Sequence, residues 1–350
     1  YLDFYGGHAV ISVGYTHPHY VEKIKNQLDQ IGFYSNSVIN KLQEELAEKL
    51  GKISGYEDDT LFLCNSGAEA NENALKIASF TSGKKKFITF RNSFHGRTSA
   101  VVAATDDSSI VAPVNETSNF IFCEWNNAEA FEKLFKENLH DLAGVIIEGI
   151  QGIGGIQIPS QELMSKISEL CTENSVFFIS DEIQSGYARS GKFFAHQHFG
   201  VKPDIITTAK GMANGFPIGG VLVSPKIPAK HKMLGTTFGG NHLACAAAIA
   251  VLEIIADENL MEESFQKGAY LIQKLQEIPQ IKEIRGKGLL IGIDFEIPAA
   301  QVSKKLREEH KIFVGSATNP LTMRLLPPLT ISYSEIDYFI VSLQSVLNLI

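Results

Sequence analysis

Asp204-Ile-Ile-Thr-Thr-Ala-Lys-Gly-Met-Ala-Asn-Gly-Phe-Pro-Ile-Gly-Gly220 runs from an apolar segment to a lysine and then to nearly bare backbone. Ile205 to Ala209 holds two β-branched pairs and reads as a strand. Lys210 follows at once, with Gly211, Gly215, Gly219 and Gly220 removing side-chain bulk around it. A lysine at a strand end can reach a bound carbonyl. If it is also desolvated, its pKa falls and the neutral amine becomes a nucleophile. A lone lysine in a glycine-rich turn is ordinarily solvated, so this reading needs a second element.

Val176-Phe-Phe-Ile-Ser180 is another buried-strand run, and it delivers Asp181 followed by Glu182-Ile-Gln-Ser-Gly186. In a parallel sheet, residues at neighbouring carboxyl ends gather at one crevice. A lysine for an aldehyde and a carboxylate for a pyridinium nitrogen are what pyridoxal phosphate requires. Ile179 to Gly186 and Thr208 to Gly215 resemble the cofactor motifs of the class III (ornithine-type) pyridoxal-phosphate aminotransferases, most of all the acetylornithine and succinylornithine enzymes. The resemblance implies an α/β, fold type I transferase. Lys210 would carry the cofactor, Asp181 would face its ring nitrogen, and Gln184 its phenolic oxygen.

Three more segments resemble the family in order. Thr60-Leu-Phe-Leu-Cys64 reads as a strand, and Asn65 to Lys76 opens a helix. Ser66, Gly67 and Ala68 sit at its first unpaired amides, where small residues admit a phosphate and the dipole favours its charge. An ordinary capped helix would look much the same, so here the resemblance carries the assignment. Ser93-Phe-His-Gly-Arg-Thr98 follows the strand Lys86–Phe90. The resemblance implies that Phe94 and His95 bind the cofactor and that Arg97 holds a substrate carboxylate. Gly235-Thr-Thr-Phe-Gly-Gly-Asn241 implies a dimer in which Thr237 closes the partner's phosphate site.

Alternating strands and helices from Thr60 to Val223 predict a mostly parallel sheet, seven-stranded in the family. The expected organisation is an N-terminal segment (1–32) lining the substrate pocket, a large cofactor domain (33–256) and a small α/β domain (257–350). Tyr1 to Tyr15 reads as a strand and glycine-rich loop, His17 and His19 as turn residues, and Val21 to Ile31 as a helix. Met323 to Leu329 matches the strand that bears the α-carboxylate arginine, here Arg324. Against the family a short segment before Tyr1 is missing, which leaves a removed targeting peptide open.

Net charge is −8, from 31 basic and 39 acidic residues, and no basic run exceeds Lys84-Lys85-Lys86. This argues against nucleic acid as a partner. The apolar run Cys245–Ala256, interrupted by Glu253, falls well short of the roughly 20 residues of a membrane helix. The four separated cysteines imply neither a disulfide framework nor a metal site and suit a reduced, cytoplasmic core. Gly144 to Gly155 is spaced G-x-x-G-x-G-G rather than as a dinucleotide fingerprint, and no G-x-S-x-G is present.

The resemblance thus implies transfer of the terminal amine of an N-acylated ornithine to 2-oxoglutarate, in arginine biosynthesis, by a homodimer with shared sites. Acetylornithine, succinylornithine and succinyl-diaminopimelate remain open as donors. Ornithine and 4-aminobutyrate are disfavoured by the Gly6-Gly7-x-Ala9 segment, and a paralogue that binds cofactor without turnover is the alternative of another class. One departure stands out in Glu148-Gly-Ile-Gln-Gly-Ile153. Ile153 occupies the place of the family's gate glutamate, which pairs with the α-carboxylate arginine, and Gly149 that of a common proline. Arg324 is therefore expected to be hydrated or to pair elsewhere, with Glu148 and Ile153 facing substrate.

Overall fold

The computed structural model describes residues 1–350 and forms two sheets. β1 (Leu2–Phe4) belongs to the smaller one. The larger sheet contains β2 (Thr60–Cys64), β3 (Lys86–Phe90), β4 (Phe120–Cys123), β5 (Leu142–Glu148), β6 (Phe177–Asp181), β7 (Ile205–Thr208) and β8 (Gly219–Val223). Their spatial order is β2-β8-β7-β6-β5-β3-β4, with only β8 antiparallel to its neighbours. β5 and β8 are buried along their whole length, as strands covered on both faces must be, which is why they read as continuous apolar runs.

Register does the positioning. Glu148 lies opposite Asp181, and Asp181 opposite Thr207, so the carboxyl ends of β5, β6 and β7 come level at one edge. Lys210 stands at the start of the short 3₁₀ turn that follows β7. The helix Gly67–Ser82 starts beside the same edge, its entry capped by Ser66, whose hydroxyl accepts from the Glu69 amide (3.2 Å).

The second sheet is completed by β9 (Ile281–Lys287), β10 (Leu290–Phe295), β11 (Ile312–Ser316) and β12 (Thr322–Leu325), in the order β1-β11-β12-β10-β9. The first strand of the chain thus joins strands from its last quarter, pairing parallel to β11. The helix His242–Asp257 packs against the helices Pro18–Leu28, Lys41–Ser54 and Leu260–Gln276, and its Ala247, Ala248 and Ala250 are fully buried; small side chains let neighbouring elements approach it closely. No helix is long and apolar enough to cross a membrane.

Two local expectations change. The helix expected from Val21 to Ile31 spans Pro18–Leu28, because a proline in the first turn has its φ preset and no amide to satisfy. His19 is therefore helical rather than a turn residue. His17 and His19 bond Glu258 and Glu253, both at 2.7 Å. The glycine-rich loop after β1 is a turn of left-handed helix, with φ of 57°, 53°, 68° and 64° at Gly6, Gly7, His8 and Ala9. Two of these are not glycine, and each such residue costs about 1–3 kcal/mol unless its surroundings hold it there.

Candidate active site

The carboxyl edge of the large sheet opens into a cavity of about 930 Å³. Ser66, Gly67, Ala68, Phe94, His95, Arg97, Glu148, Ile153, Asp181, Gln184, Lys210 and Arg324 all line it. Thr237 does not; it is exposed, outside the cavity of its own chain.

Lys210 is partly open to the cavity and otherwise enclosed by protein, in a left-handed backbone conformation (φ 44°). Burial lowers its pKa and Arg324 adds to that, while Asp181 and Glu148 oppose it. Asp181 is held by three donors. Asn71 Nδ2 and His95 Nδ1 each donate to Oδ2 at 2.7 Å, and the Ile183 amide donates to Oδ1 at 3.1 Å. Asn71 is oriented in turn by the Thr207 hydroxyl, which donates to its Oδ1 (2.7 Å). The His95 side chain that meets Asp181 is fully buried.

Ser66 spends its hydroxyl on the helix cap, which leaves the Gly67 and Ala68 amides as the first two of the helix, without intrahelical acceptors. Phe94 is half-buried on the loop after β3, where Glu148 accepts its amide at 3.0 Å and the Gly152 amide at 2.9 Å. Burial pushes the Glu148 carboxyl up to about 7, with His95 pulling against it and Asp181 adding to it. Gly96 (φ 141°) allows this loop to touch the helix start, since a Cβ there would lie 2.9 Å from that of Ala68. Arg97 stands exposed at the rim and has no ion-pair partner. Glu72 fixes the segment after it by accepting from Thr98 Oγ1 and the Ala100 and Val101 amides.

Arg324 is 1 % exposed, and no carboxylate pairs with it. Its guanidinium donates to the Ser316 carbonyl and, at 3.2 Å, to Gln184 Oε1. Arg324 thus has neutral partners only. Gln184 also donates to the His8 carbonyl (3.0 Å), which ties the left-handed turn to the site. The His8 ring lines the cavity beside Tyr5, and burial lowers its pKa, with Lys210 and Arg324 adding to the effect.

Sequence reasoning missed Asn71, Thr207 and Glu72, and it placed His8 only as part of a segment expected to line the pocket. A polar side chain inside an otherwise apolar helix face was the available signal for Asn71. For His8 it was a bulky residue directly after two glycines.

A family model described as Aminotransferase class-III matches residues 1–347. The acetylornithine aminotransferase of Bacillus subtilis is 43% identical over 345 residues, covering 96% of this chain and 87% of that protein. That of Archaeoglobus fulgidus is 40% identical over 340 residues, covering 96% and 88%. Among solved structures, an ornithine aminotransferase from Toxoplasma gondii, described with partial occupancy of pyridoxal phosphate at its active site, superposes with a TM-score of 0.91. It is 30% identical, with 99% of this chain and 87% of that one covered.

Proposed function

The chain belongs to the class III aminotransferases, and from that membership we propose that it moves the terminal amine of an N-acylated ornithine to 2-oxoglutarate, giving the semialdehyde and glutamate, in arginine biosynthesis. It is an aminotransferase of fold type I that uses pyridoxal 5'-phosphate. One observation carries the substrate reading: a single cavity holds an amine, a carboxylate and two arginines, in a chain similar to acetylornithine aminotransferases along nearly its whole length.

The residues fit the cofactor. An enclosed amine and a buried carboxylate line the same space, and two open amides begin a 16-residue helix at its side. When bound, pyridoxal phosphate supplies an aldehyde for the substrate amine and a ring that disperses negative charge. In our assignment Lys210 holds the cofactor, and Asp181 keeps a proton on its ring nitrogen. The Gly67 and Ala68 amides, with Ser66, receive its phosphate, where the helix dipole favours an anion. Lys210 Nζ, whose pKa burial lowers, is assigned to take the proton from the amine-bearing carbon of the substrate. Phe94, Ile150, Ile153 and Ile218 give that step apolar walls. Arg97 and Arg324 read carboxylates, a task suited to a planar fork of donors.

Selectivity for the terminal amine then rests on the acyl group. With Ile153 in the cavity, Arg324 has only neutral acceptors and stays available to a carboxylate in both half-reactions. Free ornithine, with both amines open, binds in competing orientations. A panel of N-acetylornithine, N-succinylornithine, N-succinyl-diaminopimelate, ornithine and 4-aminobutyrate with 2-oxoglutarate tests this. Acylated donors are expected to give the highest kcat/KM, and ornithine or 4-aminobutyrate matching them ends the reading. Ile153→Glu should move the ratio toward free ornithine, tenfold for each ~1.4 kcal/mol of gating restored.

We further propose a cytoplasmic homodimer in which the partner's Thr237 completes the phosphate site. Exposed apolar side chains support an interface: Ile39 is 81% exposed and Phe238 59%, with the Phe33 ring 5.5 Å from that of Phe238. Ile39→Asp, followed by sedimentation and cofactor titration, should yield monomers with weakened cofactor binding. Monomers that bind cofactor and turn over normally would refute a shared site.

A further inference from the structure

Arg189 lies outside the cavity, on the segment leaving β6, and is 2% exposed without an ion-pair partner. Its Nη1 donates to two backbone carbonyls of the small sheet and its flank, Leu289 (3.3 Å) and Pro327. Leu289 immediately precedes β10. Pro327 follows β12, three residues beyond Arg324. The main chain of Arg189 is engaged as well: its carbonyl accepts from the Leu289 amide and from the Ser264 hydroxyl, each at 3.0 Å. The turn between β9 and β10 presses on this backbone through Gly288 (φ 55°), where a Cβ would stand 2.5 Å from the Ser190 carbonyl carbon and 2.7 Å from the Arg189 oxygen.

As a stabilising device this is a poor choice. Burial alone pushes the guanidinium down to about 9, with only Asp3 opposing it, and Nη2 has no partner. An apolar side chain of the same volume would avoid the desolvation cost. What the guanidinium adds is direction. One nitrogen of a rigid head holds two carbonyls at one end of the β10–β12 pair that carries Arg324, one next to each strand.

We propose that Arg189 is a positioning residue: it ties the end of β12 to the segment that begins at Asp181, and so sets where Arg324 stands relative to Lys210 and Asp181. The proposal rests on the reading of Arg324 as a carboxylate-binding residue. Arg189→Met, made in the cofactor-loaded enzyme, removes the donating nitrogen and keeps most of the volume. The KM for 2-oxoglutarate should rise at least about tenfold, while kcat stays within about threefold and the cofactor absorbance band is unchanged. Arg189→Lys should recover only part of the loss, because an ammonium on a flexible stem can donate to both carbonyls but lacks the planar head that fixes their direction. An unchanged KM overturns the proposal. So does a fall in kcat together with cofactor binding, the mark of general loosening. If the methionine variant does not fold, Ser264→Ala carries the test, since it deletes only the hydroxyl at this seam. A KM raised by about threefold supports the proposal and an unchanged one overturns it. Arg324→Lys separates the two claims. If its KM is unchanged, the carboxylate reading has failed; if it is raised while Arg189→Met is silent, only the positioning claim has.

Discussion

Lys210→Ala is expected to lower transamination by at least about 10⁴-fold, because it removes the nucleophile and the base together; proton transfer alone is worth about 10²–10⁴-fold. Lys210→Arg should be nearly as inactive. Burial favours the neutral form of an amine, and Asp181 and Glu148 only partly offset it, whereas a guanidinium stays charged. The left-handed backbone at Lys210 (φ 44°) sharpens the argument. A non-glycine residue in that region holds strain of about 1–3 kcal/mol, which persists where the surroundings impose it. Borohydride reduction of the loaded enzyme followed by peptide mapping gives the direct check. The label belongs on the peptide containing Lys210. A label elsewhere, or an alanine variant within a hundredfold of wild type, would overturn the assignment.

How far the chain was legible depended on whether a feature was local. The strands β2, β3, β6 and β7 announce themselves as apolar or β-branched runs of four or five residues, and a parallel sheet brings their ends to one edge without further information. The placement of Lys210 and Asp181 at one cavity was legible for that reason, and that of Arg97 and Arg324 through the motifs around them. Contacts set by how distant segments align were not. Asn71 reaches Asp181 across 110 positions, and Gln184 reaches Arg324 across 140. Neither pairing leaves a period in the sequence. Gln184 lines the cavity, and the bonds that its side chain makes to Arg324 and to the His8 carbonyl had no signal in the sequence. The left-handed turn was hidden for another reason. Gly6 and Gly7 advertise a loop, but His8 and Ala9 adopt the same φ against their own preference, because packing and the Gln184 bond hold them. Arg189 carries no signal of its burial in the sequence, because the segments that enclose it, around Ser264, Leu289 and Pro327, are distant in the chain.

Asp181→Asn should be the second most damaging change, for a reason that reaches beyond lost charge. Three donors already converge on the carboxylate: Asn71 Nδ2 and His95 Nδ1 on one oxygen, the Ile183 amide on the other. An asparagine must turn its NH₂ toward one of these sets. Facing Asn71 and His95, it opposes donor to donor inside a buried site. Facing Ile183, it opposes that amide and the ring nitrogen whose proton Asp181 is assigned to hold. Neither orientation preserves the arrangement, and removing one partner of a buried charge pair costs about 3–5 kcal/mol, or roughly 10²–10⁴ in rate. Asn71→Ala tests the same network more gently. It deletes one hydrogen bond to the carboxylate, worth about 1.5–3 kcal/mol, so a loss of roughly 10–150-fold is expected. Both variants should also shift the pH titration of the cofactor absorbance band, a readout that simple loss of stability would not move. The order Asp181→Asn worse than Asn71→Ala, with both spectra altered, is what this network requires. An asparagine variant within tenfold of wild type would show that the carboxylate does not govern the ring nitrogen at all.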